Sequence, residues 1–172
     1  MFALALLLAA APSSTVPHHS PDGRLRFEIA ESQGEETVLV WGAGRRPLAR
    51  LTGLGRNVEA RFVARNNLLI TASCGAPCEV AGLFTPTGKQ LASLSYPQVS
   101  TDGRFALDLE PIDLETGDTA VSVVDLRTGR RTAQQRVYRG LFRCEQAEVS
   151  ASEVVYSGCG DETPIHVSFS AG

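Results

Sequence analysis

Chemistry in this chain would have to be assembled from four cysteines, three histidines and one dense run of acids. Cys74-Gly-Ala-Pro-Cys78 leaves three residues between its thiols, whereas Cys144 and Cys159 stand fifteen apart. A zinc site would need a second close pair or histidine partners, and neither is nearby. An even cysteine count after a signal-like start favours two disulfides instead. The most economical pairing is Cys74 with Cys78 and Cys144 with Cys159, although four cysteines allow three connectivities. His18 and His19 lie near the N-terminus. His166, in Pro164-Ile-His-Val-Ser-Phe169, falls on the strand face opposite Ile165 and Val167, where an exposed histidine is expected. The acidic stretch from Asp108 to Asp118 offers alternating oxygen ligands of the kind calcium takes, but without the fixed Gly and terminal Glu of an EF-hand loop. It reads as a solvated connection between strands. No G-x-S-x-G, H-E-x-x-H or phosphate loop occurs, and Gly42-Ala-Gly44 lacks the third glycine of a dinucleotide fingerprint. No catalytic residue, metal or cofactor is therefore expected.

The elements that would carry these residues are short. The 172 residues suffice for one domain. Net charge −3 makes nucleic acid and anionic membranes poor partners. Phe2 to Ala11 is an unbroken apolar run, too short for the ~20 residues of a membrane span. Its small-residue end at Ala9-Ala10-Ala11 fits an export signal. Residues 1–11 are thus expected to be a signal peptide and 12–172 one domain, working in the periplasm or outside the cell. No later stretch reaches membrane-spanning length.

A repeat organises the remainder. Three strand-like segments run into similar turns at Gly44, Gly88 and Gly129, spaced 44 and 41 residues apart, and each turn is followed by a short apolar-bearing stretch. Ser20-Pro-Asp-Gly23-Arg and Ser100-Thr-Asp-Gly103-Arg lie two periods apart. Between them Asn67, which precedes Gly88 by the same 21 residues that separate Gly23 from Gly44, is expected to replace the turn glycine. A worn copy follows around Ser152.

Each unit then reads as four short strands: Thr15–Ser20, Arg24–Ala30, Thr37–Trp41 and Pro47–Leu51; Val58–Val63, Leu68–Ser73, Glu79–Phe84 and Gln90–Leu94; Pro97–Ser100, Arg104–Leu109, Thr119–Asp125 and Arg131–Val137. The last unit offers three, Gln146–Ser150, Glu153–Ser157 and Pro164–Phe169. Trp41, in an apolar strand, is expected in the core.

A period near 40 with four strands per unit points to propeller blades. Ser20-Pro-Asp-Gly-Arg, a strand, a second strand, a Gly turn and Pro47-Leu-Ala-Arg-Leu-Thr-Gly53 together resemble the WD40-like repeat of bacterial periplasmic β-propellers of the TolB type. The resemblance implies an all-β, propeller-like array of about four four-stranded antiparallel blades, as a small ring or an open fan. A β-sandwich or barrel built from the same hairpins is the alternative.

Such a frame, without a catalytic motif, predicts an exported, non-catalytic protein-binding or scaffold module. Its contact surface would be the loops between second and third strands: Glu31–Glu36, Gly75–Pro77, Glu110–Asp118 and Gly160–Thr163. The alternatives are a secreted enzyme such as a hydrolase, with a site assembled from blade loops, and an incomplete fan completed by oligomerisation. Arg45-Arg46, Lys89 and Arg130-Arg131 follow equivalent turns and would decorate a rim, where they protect sheet edges or grip an oxyanion.

Overall fold

The computed structural model describes residues 17–32, 34–75, 78–113, 118–138, 146–157 and 163–169. The apolar run 1–11, Cys144 and Cys159 lie outside them. The described strands form four separate antiparallel sheets. The first holds β1 (His18–His19), β2 (Arg26–Ser32), β3 (Glu35–Trp41) and β4 (Pro47–Leu51). The second holds β5 (Arg56–Phe62), β6 (Leu68–Gly75), β7 (Cys78–Phe84) and β8 (Gln90–Ser95). The third holds β9 (Gln98–Val99), β10 (Phe105–Asp113), β11 (Asp118–Asp125) and β12 (Gln135–Tyr138). The fourth has three strands among the described residues, β13 (Gln146–Val149), β14 (Glu153–Ser157) and β15 (Ile165–Ser168). Every sheet is a meander in chain order. This is the expected all-β, propeller-like array.

The packing explains the strand sequences. One hydrophobic cluster joins sheets 1 and 2 around Phe27, Val38, Val40, Leu68 and Ile70. A second joins sheets 2 and 3 around Leu69, Leu83, Ala106 and Val124. A third joins sheets 3 and 4 around Leu107, Val121, Val123, Val154 and Tyr156. The middle sheets therefore bury both faces. Their inner strands carry continuous buried runs, Leu68-Leu69-Ile70 and Asp118 through Val124, as strands covered on both sides require. Strands β3 and β14 bury every second residue, so sheets 1 and 4 each bury one face. By that alternation Trp41 leaves the core: Val38 and Val40 point into the first cluster, and Trp41 sits half-buried on the other face beneath the Arg26 guanidinium, 5.1 Å from the ring centroid.

Two strand boundaries differ from the sequence reading for definable reasons. β10 runs past Leu109 to Asp113, through Pro111. β9 pairs with β10 only at Ala106 and Leu107, so the missing N–H of Pro111 interrupts no ladder on that side. β12 starts at Gln135 instead of Arg131. The Val123 N–H is taken by the Thr132 hydroxyl at 3.0 Å, which replaces a ladder bond and leaves only an isolated bridge between Val124 and Arg131.

The repeated Ser-x-Asp-Gly-Arg turns are one structure made twice. Ser20 and Ser100 each donate a hydroxyl to the aspartate two residues on, at 2.7 Å in both turns. The aspartates accept the Arg24 and Arg104 N–H groups at 3.1 and 3.0 Å. Gly23 and Gly103 both take positive φ, 69° and 68°. Between them the expectation for Asn67 fails. Positive φ falls on Arg65 and Asn66, while Asn67 is extended at φ −64°. Its side chain has another use, described below.

Candidate functional site

In a meander, the first and third hairpin turns share one end of the sheet and the second turn occupies the other. Polar ties show that sheets 1 to 3 are aligned end to end. Asp22 Oδ2 accepts Asn66 Nδ2 at 2.9 Å, joining the first turns of sheets 1 and 2. Asn67, 5% exposed, donates its Nδ2 to the carbonyls of Leu126 at 2.8 Å and Arg127 at 3.2 Å, in the last turn of sheet 3. At the opposite end Glu36 Oε2 accepts the Val58 N–H at 2.8 Å, joining sheets 1 and 2 again.

The densest group of polar chemistry lies between sheets 2 and 3. Asp108 on β10, 3% exposed, accepts the Ser95 N–H at 2.6 Å. Its other oxygen faces the Ser122 hydroxyl at 3.4 Å and pairs with the Arg131 guanidinium. Arg131 Nη2 also donates to the Ser93 carbonyl at 2.6 Å. Ser93 and Ser95 belong to β8, the outer strand of sheet 2. The pair thus caps two backbone groups on that strand's edge. Capping an edge prevents another strand from adding there. Two acids of the stretch depart from the solvated loop expected: Asp108 and Asp118 are buried, and Asp118 Oδ2 takes Arg136 at 2.6 Å, whereas Glu110 is exposed and residues 114–117 lie outside the described residues. Arg131 likewise leaves the rim where its neighbour Arg130 stays.

The turn end of the array carries a strong charge. Arg24, Arg104 and Arg127 are exposed there beside Asp22, Asp102 and Asp125. Five more exposed cations, Arg45, Arg46, Arg65, Lys89 and Arg130, have no ion-pair partner among the described residues. Eight cations thus face three acids, and the acids are engaged. The Ser20 hydroxyl, the Arg24 N–H and Asn66 lower Asp22 to about 2. The Ser100 hydroxyl and the Arg104 N–H hold Asp102 below the usual carboxylate range. Asp125 Oδ1 accepts the Arg127 N–H at 2.7 Å. The opposite end is acidic, with Glu31, Glu35, Glu79 and Glu110 exposed.

Two turns of the rim are closely packed. A Cβ added at Gly88 would stand 3.0 Å from Ala49 Cβ, and one at Gly129 2.8 Å from Leu91 Cβ. Each third-hairpin turn is therefore packed against the outer strand of the preceding sheet. Both glycines also take positive φ, 87° and 75°. Gly44 does not share this geometry. It lacks positive φ and has open space where a Cβ would stand, although its hairpin shares the register shift of the Gly88 hairpin, with Trp41 opposite Pro47 as Phe84 is opposite Gln90.

Other candidates are simpler. A groove of about 610 Å³ runs between sheets 1 and 2, lined by Leu51, Leu54, Ile70, Phe84 and Val80, with Arg50 as its charged residue. It has no acid–base pair. His166 is exposed, as expected, and meets Glu153 Oε1 at 2.8 Å. Tyr156 is 1% exposed with no partner for its hydroxyl among the described residues, and burial pushes its ionisation up. Among the described residues no group of three metal-ligating side chains comes together.

The backbone sets Gly75 opposite Cys78, with Cys74 at the register shift between Ser73 and Gly75; the side chains of both cysteines, like Cys144 and Cys159, lie outside the described set. The expected contact loops shrink. Ser32 pairs with Glu35 and Asp113 with Asp118, so Glu31, Ser32, Glu35, Glu36 and residues 110–113 are strand, while residues 33 and 114–117 lie outside the described residues. Residues 76–77 and 160–162 of the other two lie outside the described residues.

No family model matches the chain, and no curated protein matches it. Among solved structures, TolB from Acinetobacter baumannii aligns over 90% of this chain at 19% identity, with a TM-score of 0.38. The alignment spans 42% of the TolB chain. The fold assignment rests on the sheet topology described above.

Proposed function

We propose that this chain is a non-catalytic binding or scaffold module, exported to the periplasm or the cell exterior, with a protein partner. The observation that carries this reading is where its inward-turned polar groups are used. Asp108, Arg131 and Asn67, the groups from which a site could be built, all bond to backbone of the neighbouring sheet. What remains at the surface is a set of turns, two of them packed against the neighbouring sheet, which suits recognition. The apolar run before residue 12, the even cysteine count and the resemblance of Ser20–Gly53 to periplasmic blades support export.

Two measurements test it. A photo-crosslinking residue placed at Thr87, in an exposed turn, should capture a discrete protein in the native host envelope. The purified chain should turn over no chromogenic ester, glycoside, phosphate or peptide. Turnover that disappears in Asp108→Asn would overturn the reading, as would recovery of the full chain with Met1 intact in the cytoplasmic fraction.

A further inference from the structure

We propose that the turn end is a docking surface for an extended acidic polypeptide, gripped by Arg45, Lys89 and Arg130; this deepens the binding-module reading and rests on it. The three cations occupy the same place in successive repeats, immediately after Gly44, Gly88 and Gly129. The turns do not demand a cation there. Lys89 and Arg130 serve their turns through backbone carbonyls, which accept the Thr85 N–H at 2.8 Å and the Asp125 N–H at 2.9 Å. Any side chain would allow those bonds. Nor do the cations protect strand edges, because they stand beyond the strand ends. A positive charge that recurs where the fold is indifferent points outward, to a ligand.

The spacing and the surroundings narrow the ligand. Packed sheets lie about 10 Å apart, so the three cations form a row with steps of about that length. An extended polypeptide in polyproline II geometry rises about 9 Å in three residues and returns to the same face. Acids at every third position would therefore meet successive turns. Because Gly88 and Gly129 pack against the preceding sheets, the backbone at two of the three turns is held in place before binding. Guanidinium forks suit carboxylates.

A continuous polyanion fits less well. Duplex DNA carries a charge every ~1.7 Å, and an anionic bilayer is charged throughout. Either would lie over Asp22, Asp102 and Asp125, which the turns fix among the cations. A ligand with spaced acids can avoid them.

The test uses the full mature chain and a fluorescein-labelled peptide with glutamate at every third position, against its glutamine counterpart. Fluorescence anisotropy should show salt-dependent binding of the glutamate peptide only. Arg45→Ala/Lys89→Ala/Arg130→Ala should weaken it about tenfold, the sum of three exposed contacts. Arg50→Ala/Arg56→Ala/Arg61→Ala removes equal charge from exposed positions off the row and should change binding less than twofold. Equal losses in the two triple variants, or none in the first, would overturn the assignment. So would tighter binding of duplex DNA or of phosphatidylglycerol vesicles. Circular dichroism checks that both variants fold. If peptide binding fails while crosslinking at Thr87 still captures a protein, the acidic-ligand inference fails alone and the binding-module reading stands.

Discussion

Replacing Asp108 by alanine tests whether the Asp108–Arg131 pair holds sheets 2 and 3 together. The carboxylate is 3% exposed and accepts the Ser95 N–H at 2.6 Å. A hydrogen bond to a charged acceptor contributes about 1.5–3 kcal/mol net, and losing it leaves a backbone donor unsatisfied. The Arg131 side chain is 33% exposed, so solvent screening limits the ion pair itself to about 1 kcal/mol or less. The Ser122 contact at 3.4 Å adds little. The expected cost is about 3 kcal/mol. For a domain near 150 residues that lowers Tm by roughly 6–12 °C. Urea titration followed by circular dichroism, with calorimetry for Tm, measures it. Asp108→Asn keeps one acceptor oxygen for Ser95 and should cost about half as much. Arg131→Ala should cost nearly as much as Asp108→Ala, because it leaves a buried carboxylate without its counter-charge. The double variant should then fall short of the sum by about 1–3 kcal/mol. A cost below about 0.5 kcal/mol for Asp108→Ala, or strict additivity of the pair, would refute the reasoning.

Gly129→Ala imposes positive φ on a side chain and drives its Cβ into Leu91, and should cost about 2–4 kcal/mol. Gly23→Ala, with open space around its Cβ, should cost only about 1 kcal/mol; denaturant unfolding of both separates strain from collision. Tyr156→Phe removes a buried hydroxyl with no partner and should leave stability unchanged within about 0.5 kcal/mol or raise it, read from the urea midpoint. Asp22 and Asp102 ionise more readily in the folded chain than in the unfolded one. The folded state therefore binds fewer protons there, and the stability they contribute is present above about pH 4 and lost as pH falls toward about 2. Asp22→Asn/Asp102→Asn should flatten acid unfolding across that window, and an unchanged acid limb would contradict the turn geometry.

What was legible in the sequence is what depends on local rules. Alternation marks β2 and β3, the Gly88 and Gly129 turns mark their hairpins, and two Ser-x-Asp-Gly-Arg pentapeptides, which differ only at Pro21 and Thr101, form the same hydrogen-bonded turn at Ser20 and Ser100. The errors arose where a residue's neighbour lies in another sheet. Asparagine's tolerance of positive φ points Asn67 to a turn, yet its amide reaches carbonyls 59 and 60 residues away. Asp108 looked like part of a solvated run because its neighbours are acidic. A signal was available: it falls between Leu107 and Leu109 in a strand whose residues are apolar on both sides, and an acid in such a place needs a partner. Trp41 was assigned by its apolar company, although alternation from Val38 and Val40 already set it on the other face.

The repeats agree where the fold is demanding and differ where sheets meet. Each junction is solved once, by its own residues: Asp22 with Asn66 and Glu36 with the Val58 N–H between sheets 1 and 2, and Asn67 and the Asp108–Arg131 pair between sheets 2 and 3. These solutions do not interchange. Asn67 has no counterpart in the Ser20 or Ser100 turns, and the Asp108 carboxylate requires the Ser95 N–H of the sheet before it. The order of the sheets is therefore encoded by side chains that the repeat itself does not contain. The same comparison separates structure from recognition at the turns. Gly88 and Gly129 recur because both take positive φ and a Cβ at either would crowd the outer strand of the preceding sheet. Lys89 and Arg130 recur beside them without any such constraint, and a recurrence that packing and hydrogen bonding leave unexplained is where a binding function should be sought.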